Sequence, residues 1–345
     1  MTLLWIEGFE TFGTVDSSPI NANLIRKYAA PINATLCYLT PGRTGKAGMM
    51  ATTNPAQGIS TPPFMPVDTV VVGFAIKVDV IGWAYDLIRF YEGESLYHLG
   101  LQIVNSGAIR VNRAGTTLPG ESGTNVLAAG QWYYIEFRAT IGDTGSYEVR
   151  VNGVTVASAT GIDTRNGGTG LIDRVQFRGL EYSGSYYVRY DDIYVLNTLG
   201  DNNTFLGSQI VEAVYPTSTV RGDWTPTGGT NYGSVDENPT NDDADYVSSN
   251  VVGNKDLYGM GSLSRINGNI KGVQLNVDAR VTDVAPLNLR PVLKAGGVET
   301  PQGGQVITNT GYKVYTIMQE QNPSTSAPWT VAELNTVQAG VEQTA

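Results

Sequence analysis

The chain has 345 residues, 41% of them hydrophobic, and a formal net charge of −10 from 22 Lys and Arg against 32 Asp and Glu. Its basic residues are few and scattered, which argues against a nucleic-acid-binding surface, since that needs clustered Lys and Arg. The hydrophobic content excludes a disordered chain, while 41 Gly, 19 Tyr and 16 Pro favour many short strands joined by tight turns.

The N-terminus and the cysteine content bear on where the protein is made. Cys37 is the one cysteine, so no intrachain disulfide can form, which fits synthesis in a cytosol. The opening MTLLWIEGFETFG lacks a basic start and carries Glu7 and Glu10, so we do not expect a signal peptide. The most apolar run, residues 70–76, is far shorter than the ~20 residues that span a bilayer. We therefore expect no membrane partner.

The first predicted elements are an extended segment around Trp5 and a short helix. Ser18-Pro19 before INANLIRKYA predicts this helix, because Ser caps helices and Pro fits their first turn. The Gly-, Pro- and Thr-rich stretch 41–66 is predicted to be a long loop, and 69–78 a strand buried on both faces. Further strands are predicted at 87–93, 97–104, 108–115, 132–141, 147–159, 174–180 and 186–196.

The turn cluster after Leu199 predicts a domain boundary, dividing the chain into residues 1–199 and 200–345. Strands are predicted in the second part at 208–215, 246–249, 272–282, 288–294 and 312–319. Thr330-Val-Ala-Glu333 is a capping box, with Thr at the N-cap and Glu three residues later. It predicts a short C-terminal helix.

Three runs in the first part resemble the closing strands of a concanavalin-like (laminin-G-like) jelly roll. They are WYYIEFRAT (132–140), YEVRVNGVTV (147–156), whose Asn-Gly favours a two-residue hairpin, and YDDIYVLNT (190–198). The resemblance implies an all-β chain of two β-sandwich domains, the first a concanavalin-like jelly roll, with a short C-terminal helix.

The second part resembles a family of tailed-bacteriophage virion proteins. The resemblance lies in DNNTFLG (201–207), NYGSVDENPTNDDADYVSS (231–249) and NPSTSAPWTVAELNTVQAGVE (322–342). It implies a non-enzymatic structural protein on the virion surface, made in the host cytoplasm, with residues 200–345 as a virion-attachment or assembly domain. The protein would be a tail-associated or head-decoration subunit, and its partners would be capsid or tail proteins and copies of itself.

Two other functions follow from the jelly roll. One is a carbohydrate-binding module that recognises host surface glycans. The other is a glycan-cleaving enzyme, which is disfavoured because retaining enzymes need two carboxylates about 5–5.5 Å apart and the predicted strands carry no E-x-D-x-x-E run. His98 is the one histidine, and its alternating strand favours a packed residue over a catalytic one. No catalytic residue is predicted.

Acidic and aromatic residues are the remaining candidates. Asp191 and Asp192 could hold Ca²⁺, although adjacent side chains on a strand point to opposite faces and an Asp at a strand entrance often accepts backbone N–H groups. The acidic run at residues 236–245 also has carboxylates that could bind Ca²⁺ but lacks the EF-hand spacing. We therefore favour the interpretation that it is a surface loop at a protein–protein contact. Its candidate ligands are Asp236, Asp242, Asp243 and Asp245. No other cofactor is expected. Trp83 and Tyr85 are predicted to be an exposed aromatic pair for protein or glycan contact.

Overall fold

The computed structural model describes residues 2–16, 20–28, 37–51, 58–179, 186–282, 287–300 and 305–344. The predicted all-β class is confirmed, because strands in several sheets make up most of the regular structure. The helices of the described part are short. They are α1 (Asn21–Lys27), α2 (Val331–Leu334) and the 3-10 turns Glu10–Phe12 and Tyr232–Ser234. No helix in these ranges is both long and apolar enough to cross a membrane.

The chain forms two compact units, Met1–Val211 and Glu212–Ala345. The division falls after the boundary predicted at 199/200, because the intervening segment bonds to the first unit. The amide of Gly207 donates to Glu136 at 2.8 Å, and the amide of Val211 donates to Asp192 at 2.8 Å.

The first unit consists of two sheets. Its strands are β1 (Leu3–Glu7), β2 (Cys37–Pro41), β3 (Lys46–Ala51), β4 (Gly58–Ser60), β5 (Thr69–Val78), β6 (Tyr85–Glu92), β7 (Leu96–Ile103), β8 (Ile109–Arg113), β9 (Thr116–Thr117), β10 (Trp132–Thr140), β11 (Gly145–Val151), β12 (Val154–Ile162), β13 (Arg174–Arg178) and β14 (Tyr187–Leu196). The eight-stranded sheet has the order β12-β11-β10-β5-β14-β3-β2, with β1 beside β14. The six-stranded sheet has the order β4-β13-β6-β7-β8-β9.

The core lies between these two sheets. Strand β5 was predicted to be buried on both faces, and this is confirmed: it pairs with β10 and β14 in the middle of its sheet. Phe90 of the six-stranded sheet stacks on Phe137 of the other, with ring centroids 4.8 Å apart. The rings of Phe74 and Phe177 cross the same gap edge to face at 5.7 Å. Such aromatic pairs bury much apolar area and hold the sheets together.

One local prediction for the first unit needs correction. The stretch 41–66 is not a continuous loop, because β2 and β3 form a hairpin and β4 pairs with β13. These strands are short, and their sequences CYLTP, KAGMMA and GIS lack the alternation of polar and apolar residues that marks a strand. Helix α1 is present, with Leu24 and Tyr28 buried and Ile25 59% exposed. Its predicted cap, Ser18-Pro19, lies outside the described residues.

The second unit consists of one large sheet and two ribbons. Its strands are β15 (Pro216–Gly222), β16 (Thr225–Pro226), β17 (Val247–Ser248), β18 (Lys255–Met260), β19 (Val273–Ala279), β20 (Leu287–Ala295), β21 (Val298–Glu299), β22 (Gln305–Ile307), β23 (Lys313–Gln319) and β24 (Gln338–Gln343). The large sheet has the order β15-β18-β24-β20-β21, with β22 beside β20. Leu293 of the large sheet shares a core cluster with Ile317 of the β19–β23 ribbon, so the two layers pack together.

The capping box at Thr330 and Glu333 is confirmed, with both reciprocal hydrogen bonds present. The helix, however, ends at Leu334, and residues 338–343 form β24 between β18 and β20. Leu334 of this helix and Val337 after it are both buried in the core cluster that contains Leu293 and Ile317.

Candidate functional site

The outer face of the six-stranded sheet collects polar and charged side chains from four strands. Alternate residues of these strands, such as Phe90, Leu101 and Val111, point into the core. The residues between them form what we call the polar face. The polar face consists of Asp86, Arg89, Tyr91, Tyr97, Gln102, Arg110, Asn112, Gln176 and Arg178.

Asp86 is the hub of the polar face. Although 4% exposed, its carboxylate accepts hydrogen bonds from Arg89 Nε at 2.6 Å, Gln102 Nε2 at 3.1 Å and Asn112 Nδ2 at 2.7 Å. These donors come from β6, β7 and β8. Hydrogen bonds to an ionised carboxylate are stronger than neutral ones, so this residue ties three strands together on one face.

Glycine at position 100 makes this arrangement fit. Gly100 lies on β7 between Asp86 on β6 and Asn112 on β8. A Cβ at this position would stand 2.8 Å from Asn112 Nδ2 and 3.0 Å from Asp86 Cγ. The missing side chain leaves the space in which the carboxylate and the amide meet across the middle strand.

A second group of bonds joins β13 to the polar face. Gln176 Oε1 accepts from Arg178 Nη1 at 2.8 Å and from the Tyr91 hydroxyl at 3.3 Å. Gln176 and Arg178 are each 4% exposed and belong to the buried part of the polar face. Arg89, Arg110 and Tyr97 are less buried and stand at the solvent side.

Tyrosine and arginine are stacked at the centre of the face. The guanidinium of Arg89 lies 4.3 Å from the centroid of the Tyr97 ring, a cation–π contact. The ring of Tyr91 is 5.8 Å from that of Tyr97. Burial raises the pKa of Tyr97, and the charge of Arg89 only partly opposes this. Its hydroxyl is therefore protonated at neutral pH and is a proton donor.

The polar face is positively charged in an acidic protein. The nine residues of the face include three arginines, Arg89, Arg110 and Arg178, against one carboxylate, Asp86. Arg174, at the next outward position of β13, is offset by Glu94 at 3.2 Å. The chain as a whole has a net charge of −10. A local excess of cations on a partly desolvated surface attracts anionic ligands.

His98 lies at one end of the first unit and has a structural role. Its Nδ1 accepts the Asn166 amide at 3.1 Å, so the neutral ring carries its proton on Nε2, which is 3.1 Å from Glu92. Glu92 also accepts the amides of Thr169 and Gly170. His98 is fully buried and holds the loop 163–170, as expected for a packed histidine.

We expect acid to loosen this loop. Burial lowers the pKa of His98 below its usual 6.5, so its stabilising contribution is complete above pH 6.5 and is lost as the pH falls. Protonated Nδ1 would oppose the Asn166 amide. Hydrogen exchange, corrected for the intrinsic pH dependence, should show that protection of this amide falls on acidification. Unchanged protection down to pH 4 would contradict the assignment, and the Asn152 amide, bonded to a backbone carbonyl, is the control.

Asp191 and Asp192 are buried at the outer side of the eight-stranded sheet. The expectation that their side chains point to opposite faces is wrong, because β14 has an irregularity between Asp191 and Tyr194 and Asp192 has φ 50°. Asp191 accepts the Arg43 amide at 2.8 Å, and Asp192 accepts Arg43 Nη2 at 2.7 Å. The contacts of this pair are therefore those of hydrogen-bond acceptors.

The acidic run of the second unit is a surface loop. Asp236, Asp242 and Asp243 are exposed and Asp245 is half-buried. Asp243 accepts Arg280 Nη2 at 2.8 Å and the Tyr312 hydroxyl at 2.9 Å. Across the described part of the chain, no group of three or more His, Cys, Asp or Glu is arranged to hold a metal ion.

The predicted aromatic pair is divided by the structure. Trp83 is 47% exposed in the turn between β5 and β6, three residues before Asp86. Tyr85 is 1% exposed, and its hydroxyl donates to the Val80 carbonyl at 2.7 Å. Tyr85 is thus a core residue and not a contact residue. Sequence reasoning missed the polar face, although its signal was present as outward polar positions in three consecutive predicted strands.

No family model matches the chain, and no curated protein matches it. Solved structures do resemble it. The alginate lyase Aly36B shares 14% identity and a TM-score of 0.40, over 56% of this chain and 96% of that one. An endo-β-1,4-glucuronan lyase from Trichoderma reesei shares 16% identity and a TM-score of 0.34, over 45% and 82%. A Trypanosoma rangeli sialidase shares 14% identity and a TM-score of 0.34, over 49% and 29%.

The structures that resemble the chain are two lyases and a sialidase, so the non-enzymatic virion role expected from the sequence is set aside. At such identities the likeness is one of fold. What the chain does has to be argued from its own polar face.

Proposed function

We propose that the chain acts on a glycan that carries carboxylate groups, bound along the polar face. The observation that carries the proposal is the convergence of three arginines, two tyrosines and three side-chain amides on one sheet face of an acidic protein. The proposal keeps the glycan as ligand, as in the carbohydrate-binding function that the sequence offered as an alternative.

Each residue type on the face suits such a ligand. Arginine binds a carboxylate through parallel N–H···O bonds, and Arg110 stands at the solvent side of the face. Amide side chains such as Gln102 can pair with sugar hydroxyls, and tyrosine rings can pack on sugar rings. Uronates and sialates share the carboxylate, and a ligand panel separates them.

The chemistry of the face favours elimination over hydrolysis. Glycoside hydrolysis canonically needs a pair of carboxylates. Among the nine residues of the polar face, Asp86 alone has a carboxylate. In β-elimination a base removes the proton beside the glycan carboxylate, the electron pair forms a C=C bond, and the glycosidic oxygen leaves with a proton. Arginine neutralises the substrate carboxylate, and Tyr97, protonated, is placed to supply the proton to the leaving oxygen. Tyr91 is the neighbouring hydroxyl.

We expect Arg110→Ala to weaken binding of a uronate oligosaccharide by about tenfold, since a charge-assisted bond to a carboxylate contributes at least about 1.5 kcal/mol. Titration calorimetry with an alginate, a glucuronan, a sialyl and a neutral glucan oligosaccharide would measure it. Arg150→Ala is the matched control, because Arg150 pairs with Glu148 on the other sheet. Equal losses in the two variants, or equal affinity for the neutral glucan, would count against the proposal.

Location is a separate prediction that follows from the resemblance to phage proteins. Antibody raised against residues 1–198 and viewed on intact particles by electron microscopy would test it. Label on the capsid or tail would support a virion location, and protein found free in the lysate without labelled particles would contradict it.

A further inference from the structure

We infer that Asp86 is a positioning residue, which sets the geometry in which Arg89 and Arg110 meet the carboxylate of a glycan. Its role in ligand binding rests on the proposed function, whereas its effect on the two arginines does not.

Arg89 is positioned directly. Its Nε donates to Asp86 Oδ2 at 2.6 Å, and its guanidinium lies over the Tyr97 ring at 4.3 Å. The hydrogen bond at Nε and the contact between the guanidinium and the Tyr97 ring together restrict its orientation. Two such constraints reduce the entropy that the side chain loses when a ligand binds.

Arg110 is positioned through Gln102. The amide of Gln102 has one donor end and one acceptor end. Because Asp86 Oδ1 accepts the donor end at 3.1 Å, the oxygen end is turned towards Arg110, whose Nε donates to it. The reversed amide would set an NH₂ group against a guanidinium. Arg110 is thus held through Nε, and its two terminal nitrogens are the pair that a carboxylate can engage end-on.

Asp86 itself is held by a residue two strands away on the same face of the sheet. Strands β6 and β8 are two strand spacings, about 9.6 Å, apart, yet Asn112 Nδ2 reaches Asp86 at 2.7 Å across Gly100. The oxygen of Asn112 accepts the Gly115 amide at 2.9 Å, which turns its NH₂ group towards Asp86. The carboxylate is therefore also held by Asn112, whose side chain is itself buried.

The test without ligand is Asp86→Asn, observed through the Nε–H resonances of arginine in the NMR spectrum. The amide offers one acceptor where the carboxylate offers two, so the resonances of both Arg89 and Arg110 should lose protection from exchange. Glu148→Gln is the control, because it makes the same carboxylate-to-amide change at the acceptor 2.8 Å from Arg150 Nε and should affect that resonance only. An Arg110 resonance unchanged by Asp86→Asn overturns the inference. If that variant does not fold, Gly100→Ala, which separates Asp86 from Asn112, is observed in the same way.

The test with ligand is a double-mutant cycle. Binding of a uronate oligosaccharide should weaken at least about tenfold in Asp86→Asn. Arg110→Ala should then cost less in the Asp86→Asn background than in the native chain, because Arg110 is already displaced. Additive losses would show that Asp86 only stabilises the sheet. If the native chain binds no carboxylate glycan, the proposed function fails, and the NMR result alone still decides whether Asp86 positions the arginines.

Discussion

Tyr97→Phe is expected to lower the rate of glycan cleavage roughly a hundred- to ten-thousand-fold, the usual contribution of a positioned proton donor. The hydroxyl is the only group removed, and the ring that stacks on Arg89 remains. Binding of the glycan should therefore change little while the rate constant of the chemical step falls. Ultraviolet absorbance of the unsaturated uronate product measures cleavage, and calorimetry measures binding.

The control for this variant is Tyr312→Phe in the second unit. Tyr312 also has an arginine over its ring, Arg280 at 5.2 Å, and its hydroxyl donates to Asp243. It should leave cleavage and binding unaltered. A Tyr97→Phe protein that cleaves at the native rate would remove Tyr97 from the mechanism. A native protein that binds a polyuronate without releasing unsaturated product would be a binding protein, and elimination would be excluded.

The second large expected effect is a loss of stability of the first unit as the pH rises. Burial, together with the neighbouring carboxylates, raises the pKa of Glu10 to about 9. Burial and the charge of Asp192 raise the pKa of Asp191 to about 8. A carboxyl whose pKa is higher in the folded than in the unfolded chain stabilises the fold fully below its unfolded value, and this contribution is lost as the pH rises through the folded value. The window therefore runs from about pH 4 to about pH 9.

Thermal unfolding measured across this window should show a falling midpoint, because a group between its unfolded and folded pKa values loses up to about 1.4 kcal/mol of stabilisation per pH unit. Glu10→Gln should flatten the upper part of the curve, because a neutral amide pays no cost of ionisation. Asp16→Asn removes an exposed carboxylate 2.7 Å from Lys46 in the same unit and controls for the loss of one negative charge. A curve with the same slope in native and Glu10→Gln proteins would rule out Glu10 as its source.

The sequence by itself determined the features that depend on near neighbours. The Asn152-Gly153 hairpin has positive φ at both residues, as its turn type requires. The capping box at Thr330 and the buried run of β5 are likewise where the sequence places them. Each feature depends on contacts among a few consecutive residues or on a run of apolar side chains, so a short stretch of sequence is enough to predict it.

The tertiary structure alone decided which polar residues share a face. Tyr91 and Gln176 bond to each other although they are 85 residues apart, because β13 returns to pair with β6. Asp86 meets Asn112 across β7 only where that strand has a glycine. Asp191 and Asp192 reach the same arginine because β14 is irregular there. Strand order and bulges arise from long-range pairing, and no local pattern in the sequence encodes it.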